Sequence, residues 1–165
     1  MSASQRRYLL LEQGVGSIVV NFLLNAAIAW AAFRGMTEIP LWGNQSLGGD
    51  TIVTSFCLPF FTALIVTRLA RAAVRTGHVA ALNWTRATHP VLRLLPRRTL
   101  WRGVLLGLIC AITVGPLATM LFRVAGLAPL GFWSFVVLKG GYAALLGAFV
   151  TPVLALWAIA EPAPG

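Results

Sequence analysis

The stretch "EQGVGSIVVNFLLNAAIAW", Glu12 to Trp30, decides how the chain is to be read. It is apolar enough to cross a lipid bilayer, yet Gln13, Ser17, Asn21 and Asn25 recur at every fourth position. Steps of four residues drift only about 40° each on a helix of 3.6 residues per turn, so these side chains share one slowly winding face. An amide without a partner in hydrocarbon costs on the order of several kcal/mol, so that face must meet other helices, a subunit partner or water.

The rest of the composition agrees with a membrane setting. Of the 165 residues, 58% are hydrophobic and 10% charged, and the mean hydropathy is +0.82, which does not describe a water-facing surface. The net charge of +9 is read as topology and contact with anionic lipid headgroups. A chain this apolar has no room for a basic nucleic-acid-binding face. The apolar start after Arg6 and Arg7 resembles a secretory signal in outline, but two asparagines within it argue against that reading.

A span needs about 20 mainly apolar residues, and four windows qualify, at roughly 14–33, 51–67, 103–122 and 134–159. The expectation is an all-α, polytopic membrane protein, a single domain over 1–165, with four transmembrane helices arranged as two hairpins. Ten basic residues flank one side of these windows: Arg6 and Arg7 before the first, and Arg68, Arg71, Arg75, Arg86, Arg93, Arg97, Arg98 and Arg102 between the second and third. Arg34, Arg123 and Lys139 fall on the other. The bias predicts both termini inside, in a bacterial cytoplasmic (inner) membrane. The first outer loop, "RGMTEIPLWGNQSLGGD", is rich in turn formers and carries Trp42 at an interfacial position.

The basic linker, 68–102, mixes arginines with aromatic and aliphatic residues. Trp84, Arg86, Arg93, Arg97, Arg98 and Trp101 suit a segment lying among anionic headgroups, and equally an ordinary positive-inside loop. A weak internal echo links the halves. Windows one and three begin "GVGSIVVN" and "GVLLGLIC", and windows two and four each hold F-x-x-P preceded by a Gly-Gly pair, which for window two lies just before its start. A duplication of this kind predicts a parallel 2+2 repeat about an axis along the membrane normal.

The polar face of the first window has prospective partners. Pro59, Pro116 and Pro152 interrupt the other three windows and leave the carbonyls of Ser55, Ile112 and Ala148 without their helical bonds. Asn21 and Asn25 are expected to answer those carbonyls, with Thr62, Thr113 and Thr151 adding hydroxyls, either as interhelical glue or as a polar path. Lys139 is the charge set inside a window, and Asp50, at similar depth near the outer boundary, is its expected partner; snorkelling of Lys139 to the headgroups is the competing reading. Gly140, Gly141, Ala144, Gly147 and Ala148 have the small-x-x-x-small spacing that permits close helix approach within or between chains.

Catalytic constellations are absent from the pattern: no Ser/His/acid set, metal cluster, cofactor motif or phosphate-cradling loop converges. His78 and His89 lack partners at ligand spacing, and Cys57 and Cys110 read as separate packing residues at different depths. Four spans enclose little volume, so a path would form between subunits. The sequence therefore predicts an oligomeric channel or transporter, most simply a homo-oligomer. Its alternatives are a non-catalytic accessory subunit beside other membrane subunits, or a lipid-handling module.

Overall fold

The computed structural model describes residues 3–82, 96 and 98–160. Four helices in it are long and apolar enough to cross a membrane: span 1 (Gln5–Phe33), span 2 (Leu47–Arg75), span 3 (Thr99–Val124) and span 4 (Phe132–Ala160). Each extends past the apolar window that marks it, because the hydrogen-bonded ladder continues until a cap ends it. Span 2 starts at Ser46, whose hydroxyl accepts from Gly49 N at 3.3 Å. It stops at Gly77, which takes φ 74°, while Gly77 N and His78 N bond back to the carbonyls of Val74 and Ala73. Span 3 ends in the same way at Gly126, φ 65°, with Leu127 N bonded to Phe122 O. Only glycine takes this left-handed conformation without strain.

Span 1 is less regular. It opens as α-helix over Ala3–Arg7, widens into a π-helix over Tyr8–Val15 and returns to α-helix over Gly16–Phe33. The wide turns lie just before the polar face and contain Gln13. Two short strands, β1 (Glu38–Ile39) and β2 (Leu130–Gly131), pair antiparallel across the two loops that follow spans 1 and 3. This is the ribbon end of the molecule. At the other end the start of span 1, residues 78–82 and the end of span 4 meet, through Gln5 Nε2 donating to Ala80 O at 2.9 Å and Leu82 N to Ile159 O at 2.9 Å.

The helices joined by the ribbon-end loops, span 1 with span 2 and span 3 with span 4, are not the ones that pack together. Span 1 lies along span 4, span 4 along span 2, and span 2 along span 3, which gives an open array in the order 1, 4, 2, 3. Hairpin partners meet through side chains, as where Phe122 and Tyr142 approach edge to face at 6.3 Å between span 3 and span 4. The expected pair of hairpins is thus corrected to an interleaved arrangement: each loop steps over an intervening helix.

Glycines set the two outer seams. A Cβ on Gly107 would stand 2.8 Å from Phe56 O, and one on Gly103 3.0 Å from Phe60 O, so at these glycines the backbones of spans 2 and 3 approach each other directly. In the other seam, Gly140 lies on the ring of Phe22 and Gly147 beneath the Asn21 amide. The apolar side chains turned away from these seams, Leu23, Ile112, Leu117 and Phe149 among them, are 62–75% exposed, as suits helices solvated by lipid.

Gly107→Val is expected to force spans 2 and 3 apart and cost about 1–3 kcal/mol, read as a lowered midpoint of thermal unfolding in detergent. Gly141→Ala, at a position with nothing within 4 Å, is expected to leave that midpoint unchanged or raise it slightly.

Candidate functional site

Span 2 and span 4 run side by side in the same direction, and their shared interface carries the charge. Lys139 Nζ donates to Asp50 Oδ1, with 5% of the lysine side chain and 15% of the aspartate side chain exposed. These are the single lysine and the single aspartate of the chain. Asp50 belongs to the first turn of span 2, where the unpaired amides of a helix start favour a negative charge. Lys139 lies two turns inside span 4 and reaches up to it.

About 7 Å further along span 2, five residues on, a second polar contact ties the same two helices. Ser55 Oγ donates to Thr51 O at 2.6 Å and also touches the hydroxyl of Tyr142. A serine hydroxyl has one hydrogen, so with that hydrogen given to Thr51 O the tyrosine must be the donor in the second bond. Thr51 itself donates to Leu47 O at 2.7 Å. The result is a column, Lys139–Asp50 followed by Tyr142–Ser55, buried between two parallel helices.

The polar ladder of span 1 behaves differently from its expected role. Ser17 Oγ donates to Gly14 O at 2.8 Å, Asn21 Nδ2 to Ser17 O at 2.8 Å and Asn25 Nδ2 to Asn21 O at 3.0 Å. Each group is satisfied one turn back on its own helix, and the carbonyls of Ser55, Ile112 and Ala148 are not their acceptors. The face does turn inward, toward span 4. Ser17 and Asn25 are buried, Gln13 and Asn21 half-buried, and Asn21 lies over Gly147. A short amide can reach its own helix at lower entropic cost than it can reach a neighbour, which is the physical reason for the correction.

The threonines divide. Thr151 is buried and its hydroxyl has no hydrogen-bond partner among the described residues, Thr62 is half-buried, and Thr113 is exposed with its hydroxyl folded back on Ile109 O at 2.7 Å. Thr113 therefore leaves the interior set. Of the prolines, Pro59 is buried, Pro152 half-buried with its ring 3.9 Å from a Cβ placed on Gly14, and Pro116 exposed. In the basic linker, Trp84, Arg86, Arg93 and Arg97 lie outside the described residues. Arg98 stands at the residue before the first turn of span 3 in extended conformation, and Trp101 is 55% exposed on that turn.

Several contacts escaped the sequence reading. Arg102 is 3% exposed, and its Nε donates to Pro96 O at 2.6 Å. His78 Nε2 stands 3.3 Å from Glu12 Oε2 at the half-open terminal end. The Ser55–Tyr142 bond had a signal available, since Tyr142 follows Lys139 by one helical turn and both therefore face the same neighbour. Cys57 and Cys110 are free thiols. Among the described residues no group of three His, Cys, Asp or Glu side chains is placed to hold a metal ion.

Among the described residues, four helices are long and apolar enough to cross a membrane, which points to an integral membrane protein. Comparison with protein-family models, with curated proteins and with solved structures finds no match.

Removing either charge alone strands the other in a low-dielectric interior, so Asp50→Asn and Lys139→Met are each expected to cost about 3–5 kcal/mol, and the double variant less than their sum. A thermal-unfolding double-mutant cycle measures the coupling, and additive changes would contradict it. Asn25→Ala removes one self-contained bond and is expected to cost about 0.6 kcal/mol in the same assay.

Proposed function

We propose that the protein is a small transporter or channel subunit whose polar site is the Asp50–Lys139 pair with Tyr142 and Ser55, working as a homo-oligomer in a bacterial cytoplasmic membrane. The observation that carries this reading is the burial of the chain's one lysine against its one aspartate inside membrane-spanning helices. Intramembrane charges are expensive and are kept where an ion, proton or polar solute is handled.

The order of the array supports a repeat. Exchanging span 1 with span 3 and span 2 with span 4 turns the order 1, 4, 2, 3 into its own reverse, as a two-fold axis along the membrane normal requires. Such an axis passes between spans 2 and 4, where the ion pair lies, and the β1–β2 ribbon would straddle it. Gly14 faces Pro152 as its counterpart Gly103 faces Phe60, the neighbour of Pro59. The echo stops at the phenylalanines: Phe56 covers Gly107, whereas Phe149 is 75% exposed.

With the charge bias, the proposed orientation puts both termini inside and the ribbon end outside. An engineered Asn44→Cys in a Cys57→Ala, Cys110→Ala background is expected to react with an impermeant maleimide from outside, and Thr76→Cys only after permeabilisation. The reverse pattern would overturn the orientation.

A second reading, the non-catalytic accessory subunit, is favoured by one observation. The described ladder groups Ser17, Asn21 and Asn25 are all bonded within span 1, so these three side-chain donors are already committed rather than offered to a passing solute. Flux measurements separate the two. Proteoliposomes holding the purified protein are expected to pass protons, sodium, potassium or chloride in a potential-driven assay, and Asp50→Asn with Lys139→Met is expected to change the rate or selectivity while the assembly keeps its mass. Absence of flux across that panel in an intact homo-oligomer, or purification only with foreign subunits, would reject transport in favour of the accessory role.

A further inference from the structure

The hydroxyls in the seam that holds Asp50 and Lys139 have their hydrogens already committed. Thr51 gives its own to Leu47 O, and Ser55 gives its own to Thr51 O. With Ser55 so engaged, Tyr142 gives its hydrogen to Ser55 Oγ. What these hydroxyls present, beside the Asp50 carboxylate, is therefore oxygen lone pairs, the ligands of a hard cation. We infer that the site binds a monovalent cation in exchange for a proton: the cation takes the place of the Lys139 ammonium at Asp50, and Lys139 releases its proton to solution. The inference rests on the transport reading for the premise that an ion reaches the pair, and it names the class of that ion and what its binding releases.

Charge balance sets the exchange. The pair is neutral, and the elements packed on Lys139 hold few other titratable groups. Span 1 has none between Glu12 and Arg34, span 2 has only Asp50 and Cys57 before Arg68, and span 4 adds only Tyr142. Glu38 on β1, Arg34 and Arg123 are exposed at the ribbon end. A second cation about 4 Å from a charged ammonium is disfavoured about a thousandfold at an effective dielectric of about 20. With Lys139 neutral that repulsion is gone, and the site has zero net charge with the cation in place. One N–H bond of the ammonium is broken, its electron pair stays on Nζ, and one proton leaves for each cation that enters. A divalent ion would leave the site charged. An anion would require Asp50 to take up a proton and would find no hydroxyl hydrogen free to meet it.

The identity of the base and its exposure agree with this. Of the 13 basic residues every other one is arginine, and the chain's single lysine is the one paired here. Arginine keeps its charge in a protein interior, whereas lysine gives up a proton readily when buried. Asp50 lies in the first turn of span 2, and its side chain is 15% exposed against 5% for Lys139. A cation arriving from the ribbon end therefore meets the carboxylate before the ammonium. Thr51, and Thr54 one helical turn beyond Asp50 on the same side of span 2, are both buried and continue the oxygens inward.

The test follows binding rather than flux. The full chain in detergent is held at constant ionic strength while choline chloride is exchanged for sodium or potassium chloride. Relaxation of ²³Na or ³⁹K reports binding, and a pH indicator in weak buffer reports released protons. The expected result is about one proton released per cation bound, with an apparent affinity that tightens about tenfold for each unit rise in pH while Lys139 is protonated. Asp50→Asn is expected to abolish binding. Lys139→Met is expected to bind the cation with neither proton release nor pH dependence. Lys139→Arg keeps the pair but holds its proton, so it is expected to weaken binding about a thousandfold, and it keeps the test decisive if the methionine variant misfolds. Failure of both sodium and potassium to bind, binding without proton release, or binding unchanged by Lys139→Arg would overturn the inference. Cation flux in proteoliposomes without proton release would overturn it and leave the transport reading standing, whereas release from a protein that shows no flux would uphold it and reject transport.

Discussion

The ion pair between Asp50 and Lys139 is the constraint to which the rest of the molecule answers. Two charges withdrawn from water impose an effective penalty of several kcal/mol each, which is recovered only in a single register of the helices that carry them. Spans 2 and 4, parallel and not neighbours in sequence, are held in that register by the pair and again by Tyr142 and Ser55. With these two at the centre, span 1 and span 3 have only the flanks left. The glycines on spans 3 and 4 make those flanks close enough to pack.

The four spans were legible because hydropathy and length speak directly to membrane depth; their ends were not, because a window stops where apolarity fades, at Thr67 for span 2, while the hydrogen-bonded ladder runs on to Arg75. The Asp50–Lys139 contact was legible for a simpler reason: a buried charge needs an opposite one at the same depth. Helix order was not. Hydropathy reports what faces lipid, not which neighbour covers the other side, and short loops suggest hairpins even where a third helix lies between. The ladder of span 1 misled in its partners, because an asparagine in a helix competes for the carbonyl four residues back before it competes for any on another helix. Thr113 shows the same effect on the lipid side, its hydroxyl hidden against Ile109 O.

The π-helical stretch over Tyr8–Val15 has no sequence signature of its own. It precedes the ladder and carries Glu12 to within reach of His78, so it adjusts how span 1 meets the terminal end. Wide turns of this kind recur at functional segments. Here the wide turns contain the half-buried Gln13 and end two residues before the buried Ser17, at the opposite end of span 1 from the ribbon and the charge pair.

Because the chain has one lysine and one aspartate, the central pair is open to direct observation in a bilayer. Solid-state NMR on protein labelled with ¹⁵Nζ-lysine and ¹³Cγ-aspartate reports a single nitrogen–carbon distance by rotational-echo double resonance. Strong dephasing, corresponding to about 4 Å or less, is the predicted result for a formed ion pair. A separation beyond about 6 Å, with Lys139 turned to the headgroups, would contradict it.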